Sequence, residues 1–254
     1  MATQTIQPLT GIPVARLAER VLVVGDPARA RRAGGMLDGG EQIALNREYV
    51  TWTGHWKGVP VSVVSHGVGA NGAAACFEEL SRAGATTIIR VGTAGGLAPE
   101  VTDGALVVAS GAVRADGLSE ALAPLAYPAL ADPRLTAALA QAARATGLPV
   151  HVGVAATVAA FYPSPLTTYG GPAQALPHTV WRDCGAIAVE MEAAALLVLA
   201  ALHRVAAGVI LAIDGNPLAQ GDASMSTYDP DRAVVDQAKL AALKAGLDAL
   251  AADA

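Results

Sequence analysis

Apolar residues fall along the chain in two alternating rhythms. Short runs rich in Val and Ile recur at Val21–Val24, Val61–Ser65, Thr86–Val91, Ala105–Ser110, Val150–Ala155 and Gly208–Ile213. Between them lie longer Ala- and Leu-rich stretches with helical spacing, at Gly72–Ala83, Pro133–Thr146, Ala188–Leu202 and Pro230–Ala251. Short β-branched runs suit strands covered on both faces, and the longer segments suit the helices that cover them. The pattern predicts an α/β fold with a largely parallel sheet. The most apolar stretch, Ala193 to Ile213, is interrupted by His203 and Arg204. Its uninterrupted runs fall short of the ~20 residues that span a bilayer, so it predicts a buried helix followed by a buried strand, with no membrane segment. No linker, repeat or low-complexity tract divides the chain, and Phe161–Pro172 reads as a loop. Residues 1–254 are therefore expected to form a single domain.

Composition sharpens this picture. Hydrophobic residues make up 53% of the 254 and charged residues only 15%, with a mean hydropathy of +0.41. A thin charged surface leaves apolar area for contacts between subunits, which predicts a homo-oligomer. The net charge of −5 comes without any long basic run, which argues against a nucleic-acid partner. Cys76 and Cys184 stand far apart with no metal-ligand spacing, and His55, His151, His178 and His203 show no paired spacing, so no metal is expected. Met1–Pro8 has neither a basic nor an apolar signal region. Free thiols and no visible signal predict a cytoplasmic protein.

In parallel sheets, ligands gather at the carboxyl ends of the strands. The residues there are Gly25-Asp26-Pro27-Ala28-Arg29, His66-Gly67-Val68-Gly69, Arg90-Val91-Gly92-Thr93 and Asp214-Gly215-Asn216-Pro217. Arg90 ends a buried strand and precedes what reads as a glycine-rich turn. A buried guanidinium needs an anion, which is either a bound oxyanion or a core carboxylate. Arg29 adds a second cation, or its segment is an ordinary turn. Gly67–Gly72 satisfies GxGxxG and could line a dinucleotide or another closely held ligand. Val189-Glu190-Met191-Glu192 reads as the start of the most apolar helix, where carboxylates either favour the helix dipole or bind sugar hydroxyls. Asp214 either caps a turn or holds a proton in a desolvated cleft. No GxSxG, HExxH or Walker A pattern occurs.

Taken together, VLVVGDPARA (21–30), NREY (46–49), SHGVG (65–69), CFEEL (76–80), IIRVGTAGG (88–96), VEMEAAALL (189–197) and DGNP (214–217) resemble the nucleoside phosphorylase family. The likeness is to its hexameric branch, which holds purine nucleoside and uridine phosphorylases, and it runs from about residue 15 to the C-terminus. It implies a three-layer α/β/α domain around a mixed, partly barrel-like sheet. It further implies that Gly25, Arg29, Arg90 and Thr93 bind phosphate, with Arg47 arriving from a neighbouring subunit. Met191, Glu192 and Val68 would hold the ribose. Phe161 and Val189 would line the base, and Asp214 would protonate N7 of a purine. The implied reaction turns nucleoside and phosphate into free base and pentose 1-phosphate, with Asp214 and Arg90 catalytic and no cofactor beyond phosphate as cosubstrate. A hexamer built as a trimer of dimers is implied as well.

The aspartate of DGNP matches the purine type. Tyr162–Thr168 lacks the Gln and Arg with which uridine phosphorylases read uracil. Two departures stand out. Leu9 replaces a histidine that binds the ribose 5′-hydroxyl in relatives, which suits a 5′-methylthio group, and Ala159 replaces an aspartate beside the base loop. The rival readings are a uridine or methylthio-nucleoside phosphorylase, a nucleosidase using water, an NADP-dependent oxidoreductase resting on Gly67–Gly72, and an inactive nucleoside-binding homologue.

Overall fold

The computed structural model describes residues 5–161, 178–218 and 228–252. Its centre is a set of parallel strands whose side chains alternate between two apolar layers. In β1 (Arg20–Val24), Val21 and Val23 join one cluster while Leu22 and Val24 join the other. β1 pairs in parallel with β4 (Val59–Ser65) on one side and β5 (Thr87–Gly96) on the other. β5 also pairs in parallel with β10 (Ala206–Gly215). The first layer is covered by α2 (Ala70–Arg82) and α6 (Ala193–His203), with Phe77, Leu80, Leu196 and Leu197 at its heart. The second is covered by α1 (Pro27–Gly34), α4 (Pro133–Arg144) and α7 (Ala233–Ala252), through Ala30, Leu135, Leu139, Leu243 and Leu247. α6 is apolar on every side, and Ala193–Ala200 are all buried, as expected of a helix enclosed by the core.

The sheet is mixed, not largely parallel. β10 runs antiparallel to β6 (Leu106–Ala115), β6 is parallel to β8 (Val150–Val158), β8 is parallel to β9 (Ala186–Glu190), and β9 returns antiparallel to β5. These pairings close a five-stranded barrel, β5–β10–β6–β8–β9. Beyond β4 the sheet continues antiparallel through β3 (Tyr49–Trp56) to β2 (Asp38–Asn46). The fold is thus a three-layer α/β/α arrangement around a partly barrel-like sheet. A 3-10 turn at Val14–Arg16, two short helices, α3 (Leu118–Leu122) and α5 (His178–Asp183), and a short strand, β7 (Ala129–Leu130), complete the described elements.

All six sequence-predicted strands are present, most of them longer than expected. Two local expectations fail. Ala188–Glu190 forms the end of β9, and the apolar helix begins only at Ala193. The glycines after Arg90 do not turn the chain: β5 runs straight through Gly92, Gly95 and Gly96. These positions lack side chains because space is short. A Cβ at Gly96 would lie 2.1 Å from the Val101 carbonyl oxygen, and one at Gly95 would lie 2.7 Å from Pro217. Among the described residues, no helix is long and apolar enough to cross a membrane, and no cluster of three His, Cys, Asp or Glu could hold a metal ion.

Candidate active site

The carboxyl ends of β1, β4, β5 and β10 meet the end of β9 around one cavity of about 850 Å³, a volume within the ~300–1,000 Å³ typical of small-molecule sites. Gly25, Arg29, Val68, Arg90, Thr93, Phe161, Val189, Met191, Glu192 and Asp214 all line it. Of the residues expected at the site, Arg47 does not. It sits exposed in the tight turn between β2 and β3, with φ of 53°, next to Glu48, which does reach the cavity. The Tyr162–Thr168 segment lies outside the described residues.

Arg90 is 3% exposed and has core carboxylates as partners. Its Nε and Nη2 donate to Glu190 Oε2 at 3.2 and 3.0 Å, Nη2 also donates to Glu192, and Nη1 meets His66 Nε2 at 2.8 Å. Gly92 makes room for this, since a Cβ there would lie 2.7 Å from Arg90 Nη2. His66 is fully buried beneath the cavity. Burial, reinforced by the Arg90 charge, holds its imidazole well below the ordinary histidine range. The ring is therefore neutral, and Nε2 accepts from Arg90. Core-carboxylate pairing and exposure to the cavity thus coexist at Arg90.

The two glutamates do different work. Glu190 accepts from the backbone amides of Glu192 and Ala193, and from Thr157 Oγ1 at 2.6 Å. Thr157 Oγ1 in turn accepts from the amide of Ala194. β8 and β9 together therefore cap α6, and Glu192 makes no capping bond with its own side chain. That leaves the Glu192 carboxylate to face the cavity between Arg90 and the Gly69 amide. Burial first, and then the neighbouring Glu190, push Glu192 above the usual carboxylate range, against the pull of Arg90. The GxGxxG segment finds its use here. Gly67 and Gly69 both adopt positive φ, which bends the chain so that the Gly69 amide reaches Glu192 as α2 begins.

On the opposite wall, Asp214 is 5% exposed at the end of β10. Burial raises its pKa, while hydrogen bonds from the Tyr228 and Thr93 hydroxyls act in the opposite direction. Tyr228 Oη lies 2.6 Å from Asp214 Oδ2. Arg29 reaches the same wall from α1, where Asp26 accepts from the Ala28 amide at 2.8 Å and Pro27 begins the helix. Burial lowers the pKa of Arg29, and nearby Asp26 and Asp214 offset part of that. Sequence reasoning missed Tyr228, Arg232, Asp103, Glu48 and the anchoring role of Glu190. Tyr228 precedes the helical stretch Pro230–Ala251 and Arg232 lies at its start, and only the fold brings them to Asp214.

A cavity that sets a buried and a half-buried arginine beside strand ends, with a carboxylate on either side, defines a class. A sequence model of the phosphorylase superfamily matches residues 19–251, and the chain belongs to that family. Its relatives there are nucleoside phosphorylases, and it is an enzyme of that kind. It is 36% identical over 238 residues to a uridine phosphorylase of Treponema pallidum, covering 88% of each chain. It is 37% identical over 200 residues to a purine nucleoside phosphorylase of Plasmodium falciparum, covering 78% of each. Among solved structures, it matches Toxoplasma gondii purine nucleoside phosphorylase in complex with immucillin-H at a TM-score of 0.88 and 29% identity, over 99% of this chain and 98% of that one.

Proposed function

We propose that this enzyme cleaves purine nucleosides by phosphorolysis. A phosphate oxygen forms a bond to C1′ of the sugar as the C1′–N9 bond breaks. The bonding electron pair leaves with the base, which takes a proton at N7 from Asp214. Gly25, Arg29, Arg90 and Thr93 hold phosphate, while Met191, Glu192 and Val68 hold the ribose with Glu192 accepting from its hydroxyls. Phe161 and Val189 flank the base. Positioning and fixed charge supply most of the rate, as in other reactions that need no covalent intermediate. The observation that carries this reading is Asp214, a buried carboxyl with a raised pKa, beside Arg29 and across one cavity from Arg90. A group that must carry a proton near neutrality needs that environment.

Arg47 completes the phosphate site from a neighbouring subunit in a hexamer. Its exposure supports this, as does a surrounding apolar surface: Val68 is 82% exposed, Leu45 57% and Leu9 40%. Leu9 is fixed on that surface, with its amide bound to Glu79 and its carbonyl to Asn46, one residue from Arg47. A leucine delivered there with Arg47 favours a 5′-methylthio substituent over a free hydroxyl. The exposed free thiol of Cys184 supports a cytoplasmic setting.

A nucleoside panel with and without phosphate, read by released base, tests the reading. The expected result is phosphate-dependent release from inosine or guanosine, with methylthioinosine giving the higher specificity constant. Phosphate-independent release would make the protein a nucleosidase. Uridine cleavage without inosine cleavage would move it to the pyrimidine side, as its likeness to uridine phosphorylases allows.

A further inference from the structure

We propose that Tyr228 is a positioning residue for the leaving base: its hydroxyl holds the Asp214 carboxylate at the strand end while its ring, with Phe161, closes that side of the cavity. The inference rests on the phosphorolysis reading of the site and names a group that reading does not use. Its basis is geometric. Tyr228 Oη lies 2.6 Å from Asp214 Oδ2. The phenol ring meets Phe161 edge to face, with centroids 5.8 Å apart and planes at 65°. It also lies over Gly215, where an added Cβ would touch it at 3.6 Å. Both rings and the carboxylate line the same cavity.

Arg232 holds this arrangement from behind. Its Nη2 donates to the Asp214 carbonyl at 2.8 Å, its Nε to the Asp229 carbonyl at 3.0 Å, and its Nη1 pairs with Asp103. The backbone beside Tyr228 is thereby tied to the strand end that carries Asp214. A carboxyl that donates to a base must present one oxygen in a fixed direction, and a 1 Å misplacement can cost ~100-fold in rate. Tyr228 supplies that restraint on Oδ2, and Thr93 faces the same carboxylate from β5.

The groups that set the charge at Asp214 come from several elements. Arg29 faces it from α1, Thr93 from β5, Lys239 from α7, and Tyr228 from the segment before that helix. Arg29 and Arg232 also face Tyr228, and both pull its phenol down against burial and the Asp214 charge, which push it up. The phenol therefore stays protonated and acts as a donor. Removing it takes away a bond to the charged form of Asp214, so the carboxyl keeps its proton to higher pH.

The test compares wild type with Tyr228→Phe, which keeps the ring on Phe161, and Tyr228→Leu, which removes ring and hydroxyl together. Carbon-13 NMR of the Asp214 carboxyl, without substrate, gives its titration midpoint. The expected result is an upward displacement of about one pH unit in Tyr228→Phe, with a similar displacement in Tyr228→Leu. In turnover at saturating phosphate, kcat/KM of Tyr228→Phe falls about ten-fold, the scale of one lost hydrogen bond, and its alkaline limb moves to higher pH. An unchanged midpoint in Tyr228→Phe, or a displacement confined to Tyr228→Leu, overturns the proposal. A displaced midpoint with unchanged kcat/KM overturns the part concerning the base. If wild type releases no base with phosphate, the phosphorolysis reading fails, and the NMR midpoint still decides whether Tyr228 holds Asp214.

Discussion

His66 has one ring nitrogen on Arg90, and its other, Nδ1, is buried with no hydrogen-bond partner among the described residues. A proton added to this ring would place a second positive charge against a guanidinium, out of reach of bulk solvent. The folded protein therefore keeps the ring neutral below the pH at which the unfolded chain, with an ordinary histidine near ~6.5, takes up a proton. Because the unfolded state binds more protons, stability is full above that value and falls as pH drops below it, by up to ~1.4 kcal/mol per pH unit. His66→Gln keeps an acceptor for Arg90 and cannot titrate. Thermal melts at pH 7.5 and 5.5 should show a smaller loss of Tm for His66→Gln than for wild type. Glu190 is the complementary case. Its carboxylate is 1% exposed and holds both Arg90 and the first amides of α6. Glu190→Ala leaves a buried cation short of its partner and should cost ~3–5 kcal/mol in denaturant unfolding.

At the scale of elements, caps separate stability from the site. Asp132 caps α4 by accepting from the Arg134 and Leu135 amides, far from the cavity, whereas Asp26 caps α1, the helix that carries Arg29. Replacing either aspartate by alanine should cost ~1 kcal/mol in unfolding experiments. Only Asp26→Ala should also raise KM for phosphate. The central strands and the four long helices are legible in the sequence because buried β-branched runs and Ala/Leu stretches advertise their periods. β2 is not: it is an edge strand with mostly exposed or half-exposed residues and two glycines, so no apolar rhythm marks it. β9 is hidden by the apolar helix that follows it, since Ala188, Val189 and Met191 adjoin the apolar run that starts at Ala193. The strand-end rule brought Gly25–Arg29, Arg90–Thr93 and Asp214 to one place, as the cavity does. It could not find Tyr228, whose approach to Asp214 depends on how α7 docks rather than on any local signal.

At the scale of the whole molecule, an exposed Arg47 and an exposed apolar rim point outward together. On the phosphorylase reading, native mass spectrometry should give six chains, and Arg47→Ala should raise KM for phosphate without unfolding the subunit. The reason lies in the charge of the cavity. Among the described residues, its lining carries seven carboxylates, those of Asp26, Glu48, Asp103, Glu190, Glu192, Asp214 and Asp229, against three guanidinium groups, those of Arg29, Arg90 and Arg232. A single subunit therefore offers a phosphate dianion an acidic chamber, in which Arg90 and Arg232 are already paired with carboxylates and Arg29 has Asp26 and Asp214 nearby. On the phosphorylase reading, compensating charge favours entry of the dianion, either a neighbour's Arg47 or a proton from solvent. Glu192, raised by burial, lines the same cavity and is a group able to take one. Phosphate would then enter as part of a proton-coupled exchange. Calorimetry in buffers of different ionisation enthalpy should register net proton uptake, and affinity should weaken as pH rises. On that reading, the acidity of the chamber makes phosphate affinity a property of the proposed assembly and of the solution as much as of one subunit.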